Sequence, residues 1–218
     1  MTLSADILIK TLQSKRYKIF GYGLSGSAYD MNLIAVSSDK PITDNTFNDS
    51  LCLLYKDKSN SNDWVLDIFQ CTTAPGLWEI NNPSFPAAQK DGVCVIAEGQ
   101  YPKSFILGHH GLGNWKHEAL IQIGGLDYYR YKKEYGDPME YREVGKRQNY
   151  QLFSTNIHRA ATGTLTRTVD NWSAGCIVLA DDRGPYHKFI SLCKKQQAVG
   201  LGSVFTLTVL KESELWQV

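Results

Sequence analysis

The stretch NIHRAATGTLTRTVDNWSAGC, residues 156–176, carries one histidine near its start and one cysteine at its end, His158 and Cys176. A nucleophilic cysteine needs a pKa below the usual value of about 8.5, a base, and donors for the oxyanion that forms. The polar turn before Cys176 leads into the apolar run IVLA, so we expect the thiol at a strand edge with a lowered pKa. His158 ends the alternating run LFSTNIH, so we expect it on a neighbouring strand, its tautomer fixed by the backbone carbonyl that follows. Spacing alone also fits an inert buried cysteine and a merely hydrogen-bonded histidine, which are commoner.

The residues around this pair indicate how a substrate would be held. We expect Ser173 and Gly175 to shape the turn, with the backbone N–H groups of Gly175 and Cys176 facing a substrate carbonyl oxygen. We expect Arg159 to take part in binding the oxyanion together with these residues. Arg159 and Arg167 bracket the loop and could bind a substrate carboxylate bidentately, although a solvated loop charge fits each of them equally well.

Histidines and aromatic residues outside this stretch are further candidates. His110, next to a glycine, is expected to line the substrate groove. Trp172 is expected to bind substrate in an aromatic wall, although packing is the commoner role of aromatic residues in a β domain; the wall would also contain Tyr128, Tyr129 and Tyr131. The group His109, His110 and His117 lacks ligand spacing, since adjacent residues face opposite sides of a strand and no acidic residue stands as in H-E-x-x-H. We therefore expect neither a metal site nor a cofactor.

The composition is that of an ordinary globular protein. The chain has 218 residues, 43% of them hydrophobic, with 23 basic and 22 acidic side chains. Near-neutral charge without a long basic run argues against a nucleic-acid partner. The sequence contains no run of about 18 apolar residues, so it predicts no membrane-spanning helix. Five cysteines without C-x-x-C spacing indicate neither a disulfide framework nor a zinc knuckle.

Hydrophobic periodicity predicts a mainly β fold. Short runs rich in β-branched and aromatic residues, separated by Gly, Pro, Asn and Asp, indicate a largely antiparallel sheet structure. Amphipathic helices are predicted at residues 4–15 and 185–198, the second with proline in its first turn. We expect a single catalytic domain over residues 1–218, with its catalytic core at about residues 50–180 and a C-terminal helix and strand at 185–210.

The stretch resembles the L,D-transpeptidase catalytic domain of the YkuD type, whose signature is a histidine followed at a distance by [Ser/Thr]-His-Gly-Cys. His158 and Cys176 have the family's separation, and Ser173 and Gly175 match two further positions. The upstream segment CTTAPGLWEI, residues 71–80, resembles the family's Thr-Pro-x-Gly segment. The resemblance implies a two-sheet sandwich or open barrel with short flanking helices, with His158 as base and Cys176 as nucleophile.

Two positions depart from the family pattern. Ala174 stands where the signature has a second histidine, and Val178 where an arginine or asparagine is common. The stretch is more similar to divergent members from phages and phage-derived loci, which carry an upstream Phe-Asn-Asp, here residues 47–49, and a strand containing His-Gly.

The resemblance implies a cysteine enzyme that forms an acyl-enzyme on peptidoglycan stem peptides. Three functions fit: a phage-type lysin that cleaves a peptide bond, an L,D-transpeptidase that forms cross-links, and a non-catalytic wall-binding or virion module. Asp6 and the basic residues after it interrupt the apolar run that an export signal needs, so we expect no signal peptide. A lysin made in the cytoplasm and released at lysis needs no such signal, which favours the first function.

Overall fold

The computed structural model describes residues 2–23, 26–131, 148–150 and 154–216. Within these ranges the protein is mainly β, as the sequence predicts. The described strands are β1 Asn32–Ser37, β2 Asp49–Tyr55, β3 Val65–Thr72, β4 Val93–Ile96, β5 Gly99–His110, β6 His117–Gln122, β7 Leu126–Tyr131, β8 Gln148–Tyr150, β9 Ile157–Arg159, β10 Ile177–Leu179 and β11 Val204–Lys211. The described helices are α1 Ala5–Ser14, α2 Leu77–Asn81, α3 Pro86–Asp91 and α4 Pro185–Ala198.

Eight strands close into a barrel, in the order β1-β11-β5-β6-β9-β10-β3-β2. Leu33 on β1 faces Leu53 on β2 and Leu207 on β11, so β1 joins the two ends of the sheet. The prediction of a two-sheet sandwich or an open barrel is therefore wrong, because the sheet closes on itself. Alternating apolar residues fill the interior of a sandwich and of a barrel alike, so local periodicity did not reveal the closure. The interior is packed, with Phe105 and Leu120 fully buried in the main core.

Most barrel neighbours are antiparallel, but β1 and β11 are parallel, and so are β9 and β10. The register of the second pair sets Ile157 beside Ile177 and His158 beside Val178. The loop of residues 160–176 connects β9 to β10, and it contains most of the stretch singled out in the sequence.

A small sheet of β4, β7 and β8 lies outside the barrel ladder. The apolar run GVCVIAEG, residues 92–99, predicts β4, but no predicted run covers β7, whose tyrosines were expected to line a substrate wall. That expectation is wrong for Tyr128 and Tyr131, which are buried. The hydroxyl of Tyr129 donates to the Glu98 carboxylate at 2.7 Å. These tyrosines stabilise the protein rather than forming an open surface.

Both predicted helices are present. α1 begins after Ser4, whose side chain accepts from the Ile7 N–H, as an N-cap residue does. α4 begins at Pro185 and buries Phe189 and Leu192 in the same core as the barrel interior. None of the described helices combines the length and the apolar character that crossing a membrane requires.

Candidate active site

The alternation of side chains along β9 and β10 places the candidate residues on the outer face of the barrel. Ile157 and Ile177 point into the main core, so the residues next to them point outward. Cys176 and His158 therefore share one face of two adjacent strands. On the same face, the backbone N–H of Asn156 donates to Cys176 Sγ at 3.3 Å.

A cavity of about 320 Å³ opens on this face. It brings together five of the residues that were expected to catalyse or to bind substrate, namely His110, His158, Arg159, Trp172 and Cys176. Its other lining residues are Glu79, Ser84, Phe85, Gly111, Trp115, His117, Ala160, Asn171 and Ala174.

The turn before the thiol is fixed by internal hydrogen bonds. Ser173 Oγ donates to the carbonyl of Cys176 at 2.8 Å and accepts from the N–H of Gly175 at 3.2 Å. The expectation that the Gly175 N–H faces a substrate is therefore wrong, because Ser173 already occupies this donor. Among the described residues, the N–H groups of Ala174 and Cys176 have no acceptor, so both remain backbone donors of this turn.

Gly175 is required at its position by its backbone and by a close neighbour. Its φ is +133°, a value that residues with a side chain rarely adopt. A Cβ there would lie 2.5 Å from Cys94 Sγ and 2.6 Å from the Cys94 carbonyl oxygen. Strand β4 of the small sheet thus packs directly against the turn that presents Cys176.

The two upstream motifs hold the loop in front of Cys176. The N–H of Gly76, in the segment that resembles Thr-Pro-x-Gly, donates to the carbonyl of Ser173 at 2.9 Å. The buried carboxylate of Asp49, in the Phe-Asn-Asp motif, accepts from both the N–H and the hydroxyl of Thr73. Neither Gly76 nor Asp49 lines the cavity, so both act by positioning.

The tautomer of His158 follows from one contact. Its Nδ1 lies 2.7 Å from the carbonyl oxygen of Arg159, and a carbonyl can only accept. Nδ1 therefore carries the proton, as the sequence predicts, and Nε2 keeps its lone pair. Burial, reinforced by the nearby His110, lowers the pKa of His158 to about 3. The imidazole is therefore neutral at neutral pH and able to accept a proton.

The thiol of Cys176 differs from expectation. The atoms packed around Sγ desolvate it and raise the pKa of Cys176 to about 12, although the residue as a whole is partly exposed, and the N–H of Asn156 only partly offsets this effect. The predicted lowering of the pKa is wrong because the sequence does not reveal the desolvation of the site. Among the described residues, Sγ contacts the Asn156 N–H and the Ser154 carbonyl, and no hydrogen bond joins it to His158. The resting pair is a neutral thiol beside a neutral imidazole.

Three histidine rings meet in the cavity. The ring of His110 stacks on that of His158, with centroids 4.0 Å apart and planes 7° from parallel. His117 meets both rings edge-on, at 5.5 and 6.1 Å. His109 is exposed, on the other side of β5 from His110. Within the ranges described, no group of three or more His, Cys, Asp and Glu side chains is arranged to hold a metal ion.

The two arginines have different positions. The guanidinium of Arg159 donates to the Thr162 hydroxyl at 2.6 Å, and its Nε lies 3.7 Å from an oxygen of the buried Asp182. Arg159 lines the cavity, but its charge is already paired. Arg167 is exposed and lines a different cavity, with Asn48 and Asp49, so the structure does not bring it to the thiol.

Sequence reasoning missed several residues of the site. Phe85 and Trp115, 60% and 67% exposed, form an aromatic rim together with Trp172, in place of the tyrosines of β7. Both lie outside strands, where periodicity gives no signal. Asn156 stands two positions before His158, so the alternation of a strand already places it on the same face.

No protein-family model, no curated protein and no solved structure matches this chain. The resemblance to L,D-transpeptidase catalytic domains therefore rests on the motif residues quoted above.

Proposed function

We propose that the protein is a cysteine enzyme that forms an acyl-enzyme on peptidoglycan stem peptides and, as a phage-type lysin, hydrolyses a peptide bond in them. One observation carries the proposal. The thiol of Cys176 and the free Nε2 lone pair of His158 lie on the same strand face and line the same open cavity.

The chemistry follows from the neutral state of both groups. As Sγ attacks the peptide carbonyl, the thiol proton passes to Nε2 of His158, an S–C bond forms and the carbonyl oxygen becomes an oxyanion. When the intermediate collapses, the C–N bond breaks and the His158 imidazolium gives its proton to the leaving amine. Water, deprotonated by the same Nε2, then attacks the thioester, the C–S bond breaks to release the carboxylic acid, and the His158 imidazolium returns its proton to Cys176 Sγ. No preformed thiolate is needed.

The surroundings of the cavity support a large substrate. Its aromatic rim, formed by Phe85, Trp115 and Trp172, offers apolar ring faces on which sugar rings or apolar side chains can pack. The resemblance to enzymes of the L,D-transpeptidase family selects peptidoglycan stems among peptides. The expected lining role of His110 and Trp172 is part of this proposal, whereas Arg167 lies elsewhere.

One observation favours transpeptidation as a second candidate. A neighbouring cavity of about 590 Å³ shares His117 and Arg159 with the thiol cavity and is lined by charged residues that include Glu118 and Lys194. A second stem peptide bound there would bring an amine close to the acyl-enzyme. The acyl group would then pass to this amine instead of to water.

The decisive experiment incubates the protein with purified muropeptides and identifies the products by mass. Hydrolysis adds the mass of water across the cleaved bond, whereas transpeptidation gives joined products. Cys176→Ala and His158→Gln should each abolish turnover. The matched control is His109→Gln, which changes an exposed histidine outside the cavity and should leave turnover unchanged. Binding of muropeptides by wild type without any product would support the wall-binding alternative instead.

A further inference from the structure

The side chain of Asn156 has a defined orientation. The backbone N–H of Gln122 donates to its Oδ1 at 3.0 Å, and because a backbone N–H can only donate, this atom must be the amide oxygen. The amide nitrogen, Nδ2, therefore faces Nδ1 of His110, also at 3.0 Å.

This orientation fixes the tautomer of His110. Since Nδ2 of Asn156 donates, Nδ1 of His110 accepts, and the ring proton is on Nε2. His110 and His158 are stacked in opposite tautomers, one with a free Nε2–H donor and the other with a free Nε2 lone pair. Among the described residues neither Nε2 has a partner, and neither is buried as Nε2 of His117 is, so both open into the cavity.

We propose that His110 is a catalytic residue that donates from its Nε2–H to the substrate carbonyl oxygen and to the oxyanion that this oxygen becomes. This inference rests on the proposed acyl-transfer function and adds a named donor to it. The backbone N–H of Cys176 is the second donor. Because Ser173 occupies the N–H of Gly175, this N–H, next to the thiol, cannot serve as the partner of the Cys176 N–H. A side-chain donor completes the pair that an oxyanion normally receives.

The stacking explains why this donor must be uncharged. His158 becomes an imidazolium during attack, with the ring of His110 centred 4.0 Å away. A cationic His110 would repel it, whereas a neutral one does not. Burial and the neighbouring His117 lower the pKa of His110, which keeps it neutral. As a neutral imidazole it gives a hydrogen bond and keeps its proton, so the proton of Cys176 passes only to His158.

Three substitutions of His110 separate the donor from the ring. His110→Phe keeps a flat ring against His158 without a donor, and His110→Gln keeps an amide donor close to the Nε2 position. His110→Asn is equally polar, but its amide is too short to reach that position. Loss of one oxyanion donor costs roughly 10²–10³ in kcat, so we expect such losses in Phe and Asn variants, with KM changed less than about threefold and activity largely retained in Gln.

Two probes make the result independent of substrate identity. Acylation of Cys176 by an activated ester passes through an oxyanion without any peptide substrate. Its rate is followed by mass spectrometry of the protein. Alkylation by iodoacetamide forms none, so its rate should be equal in wild type and in all three variants. Labelling of the buried Cys193 reports unfolding. If His110→Phe unfolds, the comparison of Gln with Asn still decides the question.

The outcomes distinguish the two proposals. Ester acylation of wild type without muropeptide turnover would overturn the peptidoglycan substrate, and the ester rates of the variants would still measure the role of His110. The oxyanion role would be overturned if His110→Asn or His110→Phe were acylated as fast as wild type. It would also be overturned if His110→Gln and His110→Asn lost acylation rate equally. Absence of acylation at Cys176 with both substrates would overturn both proposals.

Discussion

The neutral resting pair predicts an unusual pH dependence for the alkylation of Cys176. With a thiol pKa of about 12, the thiolate fraction at about pH 8 is roughly 10⁻⁴, against about 0.24 for an ordinary thiol. The greater nucleophilicity of a more basic thiolate recovers a factor of about 40, with a Brønsted coefficient of about 0.45. Alkylation should therefore be roughly 60 times slower than that of a model thiol.

The assay measures the iodoacetamide rate constant of Cys176, by peptide mapping, from about pH 6 to pH 11. The rate should rise about tenfold per pH unit without a plateau. Because His158 is neutral, His158→Phe, which keeps the site filled, should give the same profile while acyl transfer is lost. Cys176 should still be the most labelled cysteine, since it alone of the five, all of them in described ranges, is not buried.

A plateau below about pH 9 in wild type that is lost in His158→Phe would refute this reasoning. It would show a preformed thiolate–imidazolium pair. In that case the imidazolium would lower the thiol pKa, as the sequence alone predicts, and general-base transfer during attack would be the wrong mechanism.

Two further predictions concern stability. Gly175→Ala should lower the free energy of unfolding by about 2–5 kcal/mol in urea titrations, because the new Cβ would clash with Cys94 in addition to straining the backbone at its positive φ. The matched control is Gly163→Ala, which has a φ of +66° and open space around the new Cβ. Equal losses in both variants would contradict the clash with Cys94. The pKa of His158 is about 3 in the folded protein, below its value in the unfolded chain. The unfolded chain therefore binds the proton first as the pH falls. The contribution of His158 to the free energy of unfolding is fully present above about pH 6.5 and is lost as the pH falls towards 3. Between about pH 7 and pH 4.5 the free energy of unfolding of wild type should fall by about 2.5 kcal/mol more than that of His158→Gln, and equal losses would show that the folded protein protonates this ring freely.

Local patterns predicted most elements but not how they close. Residues 4–15 and 185–198 gave α1 and α4, and most of the apolar runs are strands. α2 and α3 are too short for periodicity to detect. The closure of the barrel depends on the pairing of β1 with β11, which are far apart in sequence.

The site was predictable where it depends on alternation and unpredictable where it depends on burial. Strand alternation predicted that Cys176 and His158 lie on the same face, and the backbone carbonyl after His158 predicted its tautomer. The pKa of Cys176 depends on the surrounding atoms, and the occupied N–H of Gly175 depends on the position of a hydroxyl. Neither can be derived from residue types alone. The aromatic rim comes from loops such as the one that carries Trp115.

The short parallel pairing of β9 with β10 makes the accessibility of the Cys176 thiol a reporter of correct folding. Side chains alternate along a strand, so sliding β10 by one residue would turn Cys176 into the barrel and Ile177 onto its outer face. Such a barrel would keep nearly all its backbone hydrogen bonds and would resemble the native protein in circular dichroism, yet its thiol would be sealed from any reagent in solution. In a refolded preparation, the fraction of molecules titrated at Cys176 by an activated ester would count the molecules with native strand alignment, which bulk spectroscopy averages away.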